Sequence, residues 1–215
     1  QEQLEEINQL MKDTRQLPEE VIAGLKVRPK TANPMDVLQG AIAALADHEP
    51  YIVSGDRDEV YEASVRLISR TAQVVAAWHR IRKGQEPLPA NVETSHAAAF
   101  LEALWGTKPT EYEERMMDML LVLHAEHQLN ASTFAAREVA STRAHLYASV
   151  SAGVGALSGP LHGGANAKVM DMLLGIGSVE NVEGWIKERV EGGQRIMGLG
   201  HAVYKTEDPR AQVLR

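Results

Sequence analysis

Three of the eight histidines lie in sequence surroundings that suit catalysis or ligand binding. The first, His162, lies between Pro160, which stops the preceding helix, and Gly163 and Gly164, which remove side-chain bulk beside the imidazole. Asn166, a good N-cap residue, then predicts the start of the next helix. The partial positive charge of a helix N-terminus favours a neutral imidazole, which can donate a hydrogen bond to a carbonyl as it becomes an enolate. An incidental histidine in a glycine-rich turn explains the pattern equally well.

The second histidine, His201, follows a short loop bracketed by Gly198 and Gly200. Two cations, Lys205 and Arg210, come within nine residues of it. The planar fork of arginine suits a carboxylate, whereas lysine is a compact charge that suits phosphate. No predicted strand precedes the two glycines, so the dinucleotide-binding fingerprint is not met. Solvated surface cations are the default interpretation of this pattern, and a site for an anionic ligand is the functional alternative.

The third histidine, His127, continues an apolar helical stripe that includes Leu120 and Leu123. A core histidine bonded to a backbone carbonyl is the simpler interpretation. His124 and His127 are three residues apart on one helix face, with Glu126 between them, so a metal site is a second hypothesis. It is the weaker one, because zinc sites usually need three or more protein ligands and the pattern specifies too few. We therefore predict no metal.

The elements that must position these residues are helices. Helical periodicity runs along almost the whole sequence, and strand signals are nearly absent. Start signals such as Asn33 with Pro34, and stop signals such as Gly84, separate roughly ten predicted elements. One long helix is predicted from about Asp56 to Arg82. The fold class predicted from the sequence is all-α.

The composition excludes several classes of function. Lys and Arg number 22 against 29 Asp and Glu, a net charge of −7, so the overall field repels nucleic acid. The sequence contains no cysteine, which excludes thiolate metal sites and cysteine nucleophiles and fits a reducing compartment. No run of about 18 apolar residues could span a bilayer. A soluble, cytoplasmic protein that binds neither nucleic acid nor membrane is therefore expected.

Three motifs together resemble those of the citrate synthase family. Residues 123–133 are similar to the family's oxaloacetate-binding histidine motif, and residues 159–166 to its Gly-Pro-x-His-Gly-Gly-Ala-Asn motif. Residues 198–210 are similar to its Gly-x-Gly-His-x-Val-Tyr-Lys-x-x-Asp-Pro-Arg motif. Residues 33–38 also match an early segment of the family, so the resemblance spans most of the chain.

The resemblance implies a multi-helical fold with a large domain at residues 1–164 and the start of a smaller helical domain at residues 165–215. It implies an acyltransferase of the tricarboxylic acid cycle that condenses acetyl-CoA with oxaloacetate and hydrolyses citryl-CoA to citrate and CoA. Acetyl-CoA is a substrate, so no cofactor is expected. A homodimer is expected for the full-length protein.

The resemblance also implies roles for individual residues. His162 would polarise the thioester carbonyl of acetyl-CoA, and His201 would hydrogen-bond the oxaloacetate carbonyl that is attacked. His127 and Arg210 would bind oxaloacetate as well. The resemblance assigns CoA binding to four residues: Arg195, Gly198, Gly200 and Lys205.

The catalytic base is the part of this reaction that the resemblance does not assign within the chain. The family's base is an aspartate well downstream of the Gly-x-Gly-His motif, beyond Arg215, so the chain as given is expected to be incomplete for catalysis. Asp208 belongs to the Asp-Pro-Arg element and is not expected to take that role. Two alternatives stay open, a 2-methylcitrate synthase that uses propionyl-CoA and an inactive helical module that binds a ligand or partner without turnover.

Overall fold

The computed structural model describes residues 2–49, 56–126, 128–200 and 205–214, and these residues form helices and connecting loops with no strand among them. The α-helices, numbered in chain order, are α1 (Glu2–Thr14), α2 (Glu19–Lys26), α3 (Pro34–Leu45), α4 (Arg57–Arg82), α5 (His96–Trp105), α6 (Glu111–His124), α7 (Ala131–Ser141), α8 (Leu146–Leu157), α9 (Ala165–Ile176), α10 (Val182–Glu191) and α11 (Pro209–Leu214). Two short 3-10 turns span Ala46–His48 and Val179–Asn181. The predicted all-α fold is confirmed, and the long predicted helix is α4.

Polar side chains explain where several helices begin. The side-chain oxygen of Asn33 accepts a hydrogen bond from the N–H of Met35 at 2.9 Å, and Pro34 occupies the first turn of α3. Thr110 and Glu113 form a reciprocal capping box at the start of α6. These side chains bind backbone N–H groups that a helix leaves unpaired at its start. Short sequence signals therefore set these boundaries.

The chain divides into two compact units, Gln1–Ala156 and Leu157–Arg215. The core of the first unit is formed by apolar side chains of α2, α3 and α4, together with Tyr147 of α8. The second unit contains α9, α10 and α11. The predicted start of a small domain at about Ala165 stays a prediction. Across the described parts of the chain, no helix is both long and apolar enough to cross a bilayer.

A buried carboxylate links four parts of the first unit. The side chain of Glu49 is 3% exposed and forms ion pairs with Arg70 and, at 2.5 Å, with Arg66, one turn apart on α4. The Nε of Arg70 also donates to the carbonyl oxygen of Thr14, at the end of α1, at 3.0 Å. Burial, and secondly the nearby Glu49 charge, raise the pKa of Tyr147 on α8 to about 12. The cluster therefore connects α1, the segment before α4, α4 itself and α8.

A buried cation supports the start of α5. Arg15 is 1% exposed, and its Nη1 donates to three carbonyl oxygens of the segment that precedes α5, at 2.7, 3.2 and 3.4 Å. His96, the first residue of α5, lies near this cation. Burial, followed by the Arg15 charge, lowers the pKa of His96, and the carboxylate of Asp118 opposes the shift.

We expect the free energy of unfolding to decrease as the pH falls below about 6.5, partly because of His96. The pKa of His96 is lower in the folded state than its ordinary value of 6.5, so below pH 6.5 the unfolded state binds more protons. The contribution of His96 to the free energy of unfolding is complete above pH 6.5 and is lost as the pH falls toward the folded-state pKa. Replacing His96 by Asn should flatten the decline in urea unfolding between about pH 7.5 and 5.5. An equal flattening in His124→Asn, at an exposed histidine, would contradict this assignment.

Candidate active site

The loop that carries His162 connects α8 to α9. Helix α8 ends at Leu157, and α9 begins at Ala165 with Gly164 as its N-cap. His162 is half-buried, and its backbone N–H donates to the carbonyl oxygen of Gly159 at 3.0 Å, which closes a turn. His162 therefore lies two residues before the N-cap of α9, close to the helix entrance that the sequence predicted.

The prediction that Asn166 caps this helix is wrong. Helix α9 begins at Ala165, one residue before Asn166, so Asn166 lies in the first turn. The side-chain oxygen of Asn166 accepts a hydrogen bond from the N–H of Ala167 at 2.8 Å. Gly164 has helical dihedral angles, φ −84° and ψ −3°, so the backbone has already entered the helix before Asn166 is reached. The N-cap glycine has no side chain that could bind the N–H groups at this end of α9.

Gly163 packs against Leu157 so closely that no side chain fits. Its N–H donates to the carbonyl oxygen of Leu157 at 3.1 Å, and a Cβ atom on Gly163 would lie only 2.2 Å from that oxygen. Gly164 differs, because a Cβ there would meet atoms of Pro160 at 3.8 and 3.9 Å, which is ordinary van der Waals contact. Only a glycine at position 163 permits this close backbone contact, whereas position 164 has room for a side chain.

Replacing Gly163 by Ala should lower the free energy of unfolding by about 1–3 kcal/mol, because the added methyl group overpacks the contact with Leu157. Replacing Gly164 by Ala should change it by less than about 1 kcal/mol, since the helical dihedral angles suit alanine and only the modest N-cap preference is lost. Urea unfolding of the two variants beside the unaltered protein tests this. Equal effects of the two substitutions would contradict the geometry.

Arg210, the predicted carboxylate-binding residue, lies in the first turn of α11 and is bound by Asp208. The Asp208 carboxylate accepts from Nε of Arg210 at 3.0 and 3.2 Å and from Nη2 at 2.6 Å. One carboxylate oxygen also accepts the backbone N–H of Arg210 at 2.9 Å. The two side chains are 27% and 29% exposed. The orientation of the guanidinium is therefore set by a carboxylate two residues away.

The predicted CoA-binding residues also lie in the second unit. Gly198 has a φ of +84°, and a Cβ there would lie 3.2 Å from Cγ2 of Val169 on α9. Both features favour glycine, because L-residues rarely adopt this φ and the neighbour is already close. Arg195 and Lys205 are exposed, and Gly200 has a φ of +82°. Two exposed cations and two left-handed glycines thus lie near the predicted anion site in sequence.

His127 and His201 lie outside the described residues, so their predicted parts in binding oxaloacetate stay predictions. The helical stripe that was predicted to continue to His127 ends at His124, the last residue of α6. His124 is exposed, and its Nδ1 lies 2.7 Å from the carbonyl oxygen of Leu120. The Glu126 carboxylate accepts the backbone N–H two residues further on. The described residues include no group of three or more histidine or acidic side chains that could hold a metal ion.

Sequence reasoning missed the pairing of Asp208 with Arg210. A signal for it was present, because an aspartate before a proline at a helix start often binds the backbone N–H two residues on. The same turn brings the carboxylate beside the arginine side chain. The contact between Gly163 and Leu157 had no comparable signal, since it depends on how the loop folds back on Leu157.

Comparisons with known proteins give one consistent result. A family model described as "Citrate synthase, C-terminal domain" matches residues 1–215. The chain is 42% identical over 215 residues to citrate synthase from Synechocystis sp., covering 100% of this chain and 54% of that protein. It is 40% identical to citrate synthase 2 from Bacillus subtilis, covering 99% and 58%. The chain thus spans about half the length of these curated relatives.

Solved structures agree with the sequence comparisons. Citrate synthase from Thermoplasma acidophilum, in a ternary complex with carboxymethyl coenzyme A and oxaloacetate, superposes with a TM-score of 0.88 at 28% identity. The match covers 99% of this chain and 56% of that one. The chain is therefore similar to citrate synthases in fold as well as in sequence.

Proposed function

Because this chain belongs to the citrate synthase family, we propose that the whole protein condenses acetyl-CoA with oxaloacetate and hydrolyses the citryl-CoA that forms. The products are citrate and CoA. Acetyl-CoA is consumed as a substrate, so the proposed reaction requires no cofactor. A place in the tricarboxylic acid cycle and a cytoplasmic location are proposed on the same family basis.

One observation carries the proposal. The Thermoplasma acidophilum enzyme, to which 99% of this chain is similar in fold, binds oxaloacetate together with a CoA derivative. This chain has His162 at the entrance of α9, and it has Arg210, whose guanidinium is bound by the carboxylate of Asp208. A neutral imidazole can serve as a hydrogen-bond donor to a thioester, and a guanidinium can bind the carboxylates of a four-carbon diacid.

Each of these groups has a separate part in the proposed condensation and hydrolysis. A base removes a methyl proton from acetyl-CoA while His162 donates a hydrogen bond to the thioester oxygen on which negative charge develops. The enol carbon then attacks the oxaloacetate carbonyl, which His201 polarises, and Arg210 and His127 hold the diacid. Water finally hydrolyses the thioester bond and releases CoA. Asp208 is a poor choice of base, because its carboxylate is paired with Arg210.

The test is an assay of the purified full-length protein. We expect citrate and free CoA to form in equal amounts from acetyl-CoA and oxaloacetate, and neither product to form without oxaloacetate. With propionyl-CoA, kcat/KM should be about 10–200-fold lower, since one methylene changes binding by about 1–3 kcal/mol. Absence of turnover with either thioester would favour an inactive binding module instead, and a preference for propionyl-CoA would favour 2-methylcitrate synthesis.

We also propose that the full-length protein is a homodimer that pairs through α6 and α7. Neither helix has a fully buried side chain among its described residues, although both carry apolar ones. Val122, Leu129 and Phe134, on or between these helices, are 67%, 59% and 60% exposed. Large apolar side chains that remain exposed on successive elements favour a protein interface there. Light scattering of the full-length protein tests the proposal, and a monomer at micromolar concentration would contradict it.

A further inference from the structure

Asp208 binds more hydrogen-bond donors of Arg210 than a single-contact surface ion pair does. The carboxylate accepts from Nε and Nη2 of the guanidinium and from the backbone N–H of the same residue. Pro209 lies between them and restricts the backbone of the turn, because its ring fixes φ. One carboxylate therefore fixes both the backbone and the side-chain direction of Arg210.

A guanidinium has two edges that can bind a carboxylate in bidentate fashion. Asp208 occupies the edge formed by Nε and Nη2. The other edge is formed by Nη1 and Nη2, and the planar group fixes its direction once the first edge is held. An arginine held in this way loses less rotamer freedom when a second carboxylate binds.

We propose that Asp208 is a positioning residue that aims the second edge of Arg210 at a carboxylate of the diacid substrate. This inference rests on the proposed function, in which Arg210 binds oxaloacetate. Asp208 touches neither the thioester nor the reacting carbons in this role. Its loss should therefore affect oxaloacetate binding and leave the chemical step almost unchanged.

The test uses the full-length enzyme with Asp208→Asn, which keeps the shape of the side chain but replaces one acceptor oxygen with a donor that opposes Nη2. KM for oxaloacetate should rise about tenfold, the effect of losing one hydrogen bond to a charged group. The kcat and the KM for acetyl-CoA should stay within about twofold. The thermal midpoint should hardly change, because ion pairs of this exposure contribute little to stability.

A matched control and a double-mutant cycle separate positioning from other effects. Asp171→Asn removes one negative charge from an exposed position on α9 and should leave all kinetic constants unchanged. The ammonium group of lysine cannot bind two carboxylates in bidentate fashion. In the background of Arg210→Lys, Asp208→Asn should therefore raise KM for oxaloacetate by less than about twofold. A tenfold effect in both backgrounds would overturn the inference.

Other outcomes would overturn different parts of the proposal. If Asp208→Asn leaves KM for oxaloacetate unchanged or lowers it, Asp208 does not aim Arg210 at the substrate, and the inference fails while the proposed function stands. If kcat and the thermal midpoint both fall while both KM values rise, Asp208 has a purely structural role, and the inference is overturned too. If the unaltered enzyme forms no citrate, the proposed function itself fails.

Discussion

Replacing His162 by Ala in the full-length enzyme is expected to lower kcat for citrate formation by about 10²–10⁴-fold, the usual contribution of a positioned proton donor or acceptor. His162 lies two residues before the N-cap of α9, at the entrance of that helix. The lost hydrogen bond is made to charge that develops only as the enol forms. KM for oxaloacetate should therefore remain within about threefold of its original value.

The control for this substitution is His48→Ala. His48 ends the 3-10 turn after α3, and its one ion-pair contact among the described residues is a long one of 3.9 Å with the exposed carboxylate of Glu20, so its loss should leave kcat unchanged within about twofold. Initial rates of CoA release at saturating oxaloacetate provide the measurement. A His162→Ala enzyme with an unchanged kcat would remove this residue from the mechanism, and a large loss in His48→Ala would point to general destabilisation.

Replacing Glu49 by Gln is expected to lower the free energy of unfolding by about 3 kcal/mol. The carboxylate is 3% exposed and balances the charges of Arg66 and Arg70, whose side chains are 23% and 15% exposed. Removing one partner of a buried pair costs about 3–5 kcal/mol, because the remaining charge stays buried without compensation. The lower end applies here, since both arginines keep some access to solvent. Urea unfolding monitored by circular dichroism would measure the change.

Tyr147→Phe is the matched control for this cluster. Burial, and then the charge and a weak hydrogen bond of the Glu49 carboxylate beside it, raise the pKa of the Tyr147 hydroxyl, but that hydroxyl makes no hydrogen bond of good geometry within the described part of the chain. Removing a buried hydroxyl whose contact with the carboxylate is this weak should change the free energy of unfolding by less than about 1 kcal/mol. If Glu49→Gln costs less than about 1 kcal/mol, or if Tyr147→Phe costs as much as Glu49→Gln, the proposed role of the buried carboxylate is wrong.

Local signals in the sequence were sufficient for most helix boundaries. Asp56, Asn33 and Thr110 each bind backbone N–H groups at the start of the following helix, as their residue types predict. Asn166 is an exception, because the backbone enters α9 at a glycine before it. Capping preference is a local tendency of less than about 2 kcal/mol, and a loop whose path is set by packing can override it.

Buried polar contacts could not be predicted in the same way. Arg15 contacts carbonyl oxygens 76 to 80 residues away, and Arg70 contacts an oxygen 56 residues away. No residue pattern along the chain indicates which of many charged side chains will be enclosed. These contacts exist only after α1, α4 and the segment before α5 have packed together.

The amino-acid sequence by itself determined the all-α class, most helix starts and the candidate site residues, since periodicity, caps and short motifs act over a few neighbours. Tertiary structure alone decided that Gly163 must lack a side chain, that Glu49 bridges two arginines and that the edge of Arg210 held by Asp208 is the one formed by Nε and Nη2. The physical reason is distance and direction. Steric exclusion and buried charge depend on atoms approaching to within about 3 Å in a defined orientation, and this is settled only when the chain has folded.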